Sequence, residues 1–255
     1  MSDLLGTNKQ KKVYKGAFEY KRDGLVYCDE TFEVFKDTKE LTMIFKSELI
    51  SRVSTGELLK ISVEYVCNKD WVPTKVSINK TLGREFIEEI YKLDSKANSL
   101  IYQLKSKHSK EKMSINIPPR FHIHTPCAAS SMVFILSKKF DSIGNNMYSI
   151  YYSENNWSYE KPIANKSVIL KKAGLGAEEI LINGSKVQAI KYQMLDNQVE
   201  DKNSKDKKEN KPAFLSIYLS RHVSIPYRIE QDENNKIEIK FLNDLQEEEE
   251  TDDLE

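Results

Sequence analysis

Cysteine is scarce in this 255-residue chain: Cys28, Cys67 and Cys127 are odd in number, far apart and without a C-x-x-C pair. Neither a disulfide framework nor a zinc knuckle is indicated. Net charge is also missing, since 39 basic residues balance 39 acidic ones, so the whole molecule offers no basic field to nucleic acid. No stretch approaches the ~18 consecutive apolar residues of a membrane-spanning helix. The opening "MSDLLGTNKQKKVYKG" lacks the apolar run of a secretory signal. These absences lead to the expectation of a soluble cytoplasmic protein with reduced thiols and no integral membrane segment. The glycine signatures of phosphate loops, dinucleotide folds and serine nucleophile elbows are absent too. "KKAGLGAEE" holds one G-x-G without a third glycine, outside any βαβ setting.

What is present is alternation. "KVYKGAFEYKR" sets Val13, Lys15, Ala17 and Glu19 against Tyr14, Gly16, Phe18 and Tyr20. Asp23-Gly24 then signals a hairpin, and "LVYCDETFEVFKD" returns in the same rhythm. Short strands continue to about residue 117, broken at Gly56, Asn68-Lys69-Asp70, Leu82-Gly83, Asp94-Ser95 and Ser106. Links this short cannot carry a parallel crossover, so an antiparallel meander is expected. Strands resume after residue 146, with Asn183-Gly184 as a second strong hairpin signal.

Between these runs the period changes. Thr125 suits an N-cap and Pro126 a first helical position, and Ala128, Ala129, Met132, Val133, Ile135, Leu136 and Phe140 form a broad apolar face. The fold expected is mainly β: a curved antiparallel sheet of about eleven strands, half-barrel or barrel, around one central helix near residues 126–139. A single domain is expected over 12–243, with a disordered start at 1–11 and an acidic disordered tail at 244–255. That tail, "LQEEEETDDLE", suits a basic protein partner. Residues 197–211 and 246–255 hold too few apolar groups to offset the ~1–2 kcal/mol per residue of backbone ordering, and mobility is expected there.

Three segments resemble a bacterial domain family of unknown function related to the lipoprotein-carrier (LolA- and LolB-like) half-barrels. "WVPTKVSINKTLGREFIEEIYKLD" is similar to its strand pair, where an aromatic and a proline precede a hairpin. "MSINIPPRFHIHTPCAASSMVFILSKKFDSIGNNMYSIYY" is similar to its strand, proline-containing link, apolar helix and next strand. "FLSIYLSRHVSIPYRIEQDENNKIEIKFL" is similar to its closing hairpin. The sequence departs from the family at "HIHTPC", where the family carries an Asp-containing link. The resemblance implies a curved sheet cupping an apolar cavity, with an apolar small molecule or lipid as its ligand.

The candidate chemistry gathers at "RFHIHTPC". His122 and His124 are two apart, so in a strand their rings share a face. H-x-H invites a metal, but the carboxylate that a cupin needs a few positions on is replaced by Ala128 and Ala129, and two imidazoles leave a divalent ion short of ligands. No metal and no cofactor are expected. The pair could instead act as acid and base, with Cys127 near a helix N-terminus as a nucleophile. The plain alternative is hydrogen bonding across the sheet, with Cys127 packed beneath the helix. Arg120, Arg221 and His222 could meet an anionic head group or cap a hairpin, and Trp71 could cover the rim of a site that Met132 lines. Two functions follow: a binding module for an apolar ligand, or a cofactor-free lyase, isomerase or hydratase using the His pair.

Overall fold

The computed structural model describes residues 10–137, 145–174, 176–196, 214–220 and 224–246. Eight strands meander in sequence order: β1 (Gln10–Arg22), β2 (Leu25–Asp37), β3 (Thr42–Arg52), β4 (Leu58–Cys67), β5 (Pro73–Leu82), β6 (Glu85–Asp94), β7 (Ser99–Ser106) and β8 (Lys110–Asn116). The second half supplies β9 (His122–Ile123), β10 (Asn145–Tyr152), β11 (Ala164–Lys172), β12 (Glu178–Ile182), β13 (Ser185–Asp196), β14 (Phe214–Leu219), β15 (Pro226–Glu230) and β16 (Asn235–Asp244). From β8 the sheet runs down to β1, where β16 joins the free edge, and on through β15, β14, β13, β11 and β10 to β9, with β12 paired on β13. All pairings are antiparallel except β9 on β10, where His122 lies opposite Ile150 and Ile123 opposite Tyr151.

The expectation of about eleven strands is corrected to sixteen among the described residues. Two-residue β9 is too short to show alternation, and β12 with β13 is a full hairpin of its own. Asn183 and Gly184 at its turn both take positive φ, as do Asp23 and Gly24 between β1 and β2. Paired positive φ is the two-residue hairpin geometry whose twist matches the strands.

The sheet curls but does not close. Its two end strands, β8 and β9, are consecutive in the chain, joined by Ile117-Pro118-Pro119-Arg120-Phe121. Two prolines in that link offer no N–H to a ladder, so the seam stays open. The result is a mixed, mostly antiparallel, barrel-like sheet.

The central helix is shorter than its apolar pattern suggested. One α turn, α1 (Ala128–Ser131), follows Cys127 in the N-cap position, and a 3₁₀ turn (Val133–Leu136) completes the segment. Thr125 does not cap it; its hydroxyl bonds to Ser130 Oγ at 2.8 Å. The reason is burial on every side. From Cys127 to Ile135 only Ser131 is not fully buried, so no solvent-facing side enforces a 3.6-residue period. Ser131 Oγ also donates to the Ala128 carbonyl at 2.9 Å, and Ser137 Oγ to that of Phe134 at 2.7 Å. Phe140 and the rest of 138–144 lie outside the described residues.

The lumen lies between this plug and the inward faces of the meander. Phe18, Phe32, Tyr65, Tyr91 and Tyr102 are almost wholly buried. Phe18 meets Phe32 with ring centres 5.3 Å apart, and Tyr91 meets Tyr102 at 5.0 Å. Each such ring stabilises the fold by roughly 1.5–3 kcal/mol through burial.

Candidate ligand site

The plug runs from one mouth of the curved sheet towards the other, and a cavity opens at each end. At its start, a cavity of ≈260 Å³ is lined by His124, Thr125, Pro126, Cys127 and Met132, with Lys21, Arg22 and Lys236 around it. At its finish, a cavity of ≈350 Å³ lies beneath Leu136. Val13, Val34, Met43 and Phe45 give it apolar walls, and Trp71 and Leu41 lie at its mouth with Lys36 and Lys69. Strand alternation turns Val34 and Phe45 inward, while the β2–β3 and β4–β5 turns bring Leu41 and Trp71 to the opening. Trp71 holds φ at 62°, and its N–H bonds to the Asn68 carbonyl at 2.9 Å. Asn68 Oδ1 accepts from the amides of Asp70 and Val72, each at 3.0 Å, which fixes the turn.

The two histidines have separate surroundings. His122 is 2% exposed, with its ring 5.2 Å from that of Phe134 and 5.5 Å from that of Tyr148. Its Nε2 is 3.2 Å from Ser137 Oγ. Ser137 already donates its one hydroxyl hydrogen to Phe134, so it accepts here, and Nε2 carries the proton. Nδ1 is then a bare acceptor, buried and without a partner. Burial, with Arg120 nearby, pushes the imidazole pKa down to about 3. His124 lies past the end of β9, on the rim of the ≈260 Å³ cavity, and is exposed. Enclosure by the cavity walls and the ammonium groups of Lys166 and Lys80 press its pKa downward. Because water reaches this ring, the effect is weaker than for His122.

Cys127 is wholly buried. Burial pushes its thiol far up, and the carboxylate of Glu30 adds to this. A one-turn helix does not reverse that balance, so Cys127 stays a thiol. Met132 lines the ≈260 Å³ cavity and Trp71 the ≈350 Å³ one, so the structure does not bring these two together. Arg120 is exposed, with Nη1 3.5 Å from the Ser137 carbonyl. Arg221 and His222 lie outside the described residues, as do residues 197–211 and all of 246–255 except Gln246.

Two buried acids that pattern reading passed over hold the interior together. Glu30 Oε2 accepts the Tyr20 hydroxyl at 2.6 Å and the Ala128 N–H at 2.7 Å, while Oε1 accepts the Ala129 N–H at 3.2 Å. Glu89 Oε1 accepts the Tyr102 hydroxyl at 2.7 Å, and Lys80 Nζ lies 3.3 Å from Oε2. Asn155 joins them, donating to Tyr102 at 3.3 Å and gathering the amides of Glu160 and Lys161 on its Oδ1. Both acids occupy inward positions of alternating strands, in register with Cys28 and Phe32 or with Ile87 and Tyr91. An acid in an apolar register was the signal that could have found them. Among the described residues, no group of three His, Cys, Asp or Glu side chains is gathered to hold a metal, and no helix is long and apolar enough to cross a membrane.

No protein-family model matches the chain, and no curated protein matches it. Its structure is similar to that of a β-barrel-like protein of the domain-of-unknown-function family DUF1849 from Brucella abortus. The two share 9% identity, with 91% of this chain and 98% of that one covered at a TM-score of 0.52. A DUF1089 family protein from Pseudomonas aeruginosa is also similar, at 6% identity, 82% and 91% coverage and a TM-score of 0.48. At 9% identity the Brucella likeness is one of fold alone, and that fold is β-barrel-like.

Proposed function

We propose that this chain is a binding protein that holds an apolar small molecule or a single lipid chain in its curved sheet, a use akin to that of the lipoprotein-carrier half-barrels. The observation that supports this is the ≈350 Å³ cavity, walled by Val13, Val34, Met43, Phe45 and Leu136 and opening past Trp71. Its size falls at the lower end of the ~300–1,000 Å³ of small-molecule pockets, which suits one chain or ring rather than a multi-chain lipid. The acid–base alternative has less support, because His122 and His124 line different cavities and His122 is held neutral by burial.

Native mass spectrometry of the full chain purified from cells tests the reading, together with melting in the presence of decanol. The reading expects an added mass that solvent extraction removes, and a melting temperature that rises with decanol concentration. A bare polypeptide mass together with a melt that decanol does not move would contradict it.

A further inference from the structure

The wall of the apolar cavity changes character along its length. Across β2 and β3, Val34 lies opposite Phe45, and two residues on, towards the β2–β3 turn, Lys36 lies opposite Met43. Val34 and Phe45 are buried, whereas Lys36 is exposed. Phe32, Val34 and Lys36 are alternate residues of one strand, so they share its inward side. Met43 in turn lies opposite Cys67 at the end of β4, and Lys69 follows two residues later in the turn that Asn68 fixes. Lys36 and Lys69 thereby flank Met43, one from β2 and one from the turn after β4, and both line the cavity. Lysine stems extend an apolar wall while their ammonium groups stay at the water's edge.

The charge at this opening does not balance. The charged side chains lining the cavity are Lys36, Asp37 and Lys69, two positive against one negative. The Asp37 carboxylate is engaged by the β2–β3 turn, where its Oδ1 accepts the amides of Lys39 and Glu40 at 3.0 and 2.9 Å. Asp70, next to Lys69 in the chain, lines a separate chamber with Arg120. Gln246, also at the cavity, donates its side-chain amide to the Tyr14 hydroxyl. Elsewhere on the meander lysines have acids beside them: Lys12 meets Glu33 at 2.6 Å, and Lys75 meets Glu64 at 3.1 Å. Among the described residues, neither Lys36 nor Lys69 has such a partner.

An apolar cavity with two unpaired ammonium groups at its opening matches a molecule with a greasy chain and one anionic end. We propose that the cavity takes a single-chain carboxylic acid, a fatty acid in class, with its chain against Val34, Phe45 and Leu136 and its carboxylate held by Lys36 and Lys69. A monocarboxylate supplies the one negative charge that the lining lacks. A phosphate monoester would bring close to two, and a cationic head would add to the excess. This rests on the binding function proposed above and names the class of ligand for it.

Isothermal titration of the full chain at pH ~8 with three probes sharing one alkyl chain tests this: decanol, decanoate and decyl phosphate. The parent should bind decanoate more tightly than the other two. Lys36→Gln and Lys69→Gln change exposed positions, so both should melt with the parent. Each should lose roughly threefold in decanoate affinity, the worth of one exposed ion pair, with decanol binding unchanged. Lys39→Gln removes a neighbouring charge that does not line the cavity and should lose nothing. Equal affinity for decanol and decanoate would overturn the carboxylate assignment and leave the apolar reading standing. So would a decanoate preference that survives both lysine changes, or one that Lys39→Gln weakens as much, which is an effect of bulk charge. Tightest binding of decyl phosphate would overturn it in favour of a phosphate head. Binding of no probe would overturn the apolar reading along with it.

Discussion

Glu30 on β2 carries the first turn of the central plug on its carboxylate. Its Oε2 accepts the Ala128 N–H at 2.7 Å, and the fold of the meander is thereby tied to a segment 98 residues further along the chain. Such a contact stabilises through what its loss would leave bare. Glu30→Ala would strand the buried Ala129 N–H and leave the Ala128 N–H only the Tyr20 oxygen, and the Tyr20 hydroxyl only the Pro126 carbonyl at 3.3 Å, at a cost of about 3 kcal/mol. Urea unfolding followed by circular dichroism should show the midpoint falling by that equivalent.

Burial also raises the pKa of Glu30 above its usual value. For an acid raised in the folded state, the ionised form costs stability above the folded pKa, and that cost is relieved as pH falls towards the unfolded value of 4.5. Glu30→Gln carries no such charge. Its unfolding free energy, measured at a series of pH values, should therefore lack the gain on mild acidification that the parent draws from this site.

His122 has the opposite sign. Its folded pKa lies near 3 against an ordinary 6.5, so the neutral ring's contribution is complete above 6.5 and is lost as pH falls from there towards 3. His122→Phe keeps the ring contacts with Phe134 and Tyr148 but has no proton to take up. Between neutral pH and pH ~4 the parent's melting temperature should drop more steeply than the variant's, with parallel curves contradicting the burial of this imidazole.

The three described cysteines are buried and free. Burial pushes Cys28 and Cys67 up to about 12, and Cys127 further. A chromogenic disulfide reagent added to the folded protein should react with none of them at neutral pH, and with all three once denaturant is added. Rapid labelling of Cys127 in the native state would restore it as a nucleophile candidate.

Gly16 faces the ring of Phe32 and the backbone of Phe241. A Cβ there would sit 2.4 Å from Phe32 Cζ and 2.7 Å from the Phe241 carbonyl oxygen, so strand β16 could pair with β1 only after shifting. Gly16→Ala should cost roughly 1–3 kcal/mol by overpacking, read again in urea.

How much of this could be seen beforehand depends on the range of the forces involved. The meander was legible because local signals set it: alternation fixed each strand, and Asp23-Gly24 and Asn183-Gly184 fixed their hairpins. The helix was legible as a location but not as a length, since its apolar residues answer to walls on every side rather than to one face. Parallel β9 and the inward acids Glu30 and Glu89 depend on partners from distant strands, which no local window contains. His122 stood out in the sequence, yet the feature that sets it apart, a buried acceptor without a donor packed between Phe134 and Tyr148, belongs to tertiary packing.

The binding function centres on the ≈350 Å³ cavity, and Trp71 at its mouth supplies the probe. Trp157→Phe leaves Trp71 as the single tryptophan, so its emission can be followed as decanol is titrated in. A saturable blue shift is predicted, weakened in Met43→Gln, which puts an amide into the apolar wall while the melting temperature stays close to the parent's. Emission that does not move, or moves equally in Met43→Gln, would contradict a ligand in this cavity.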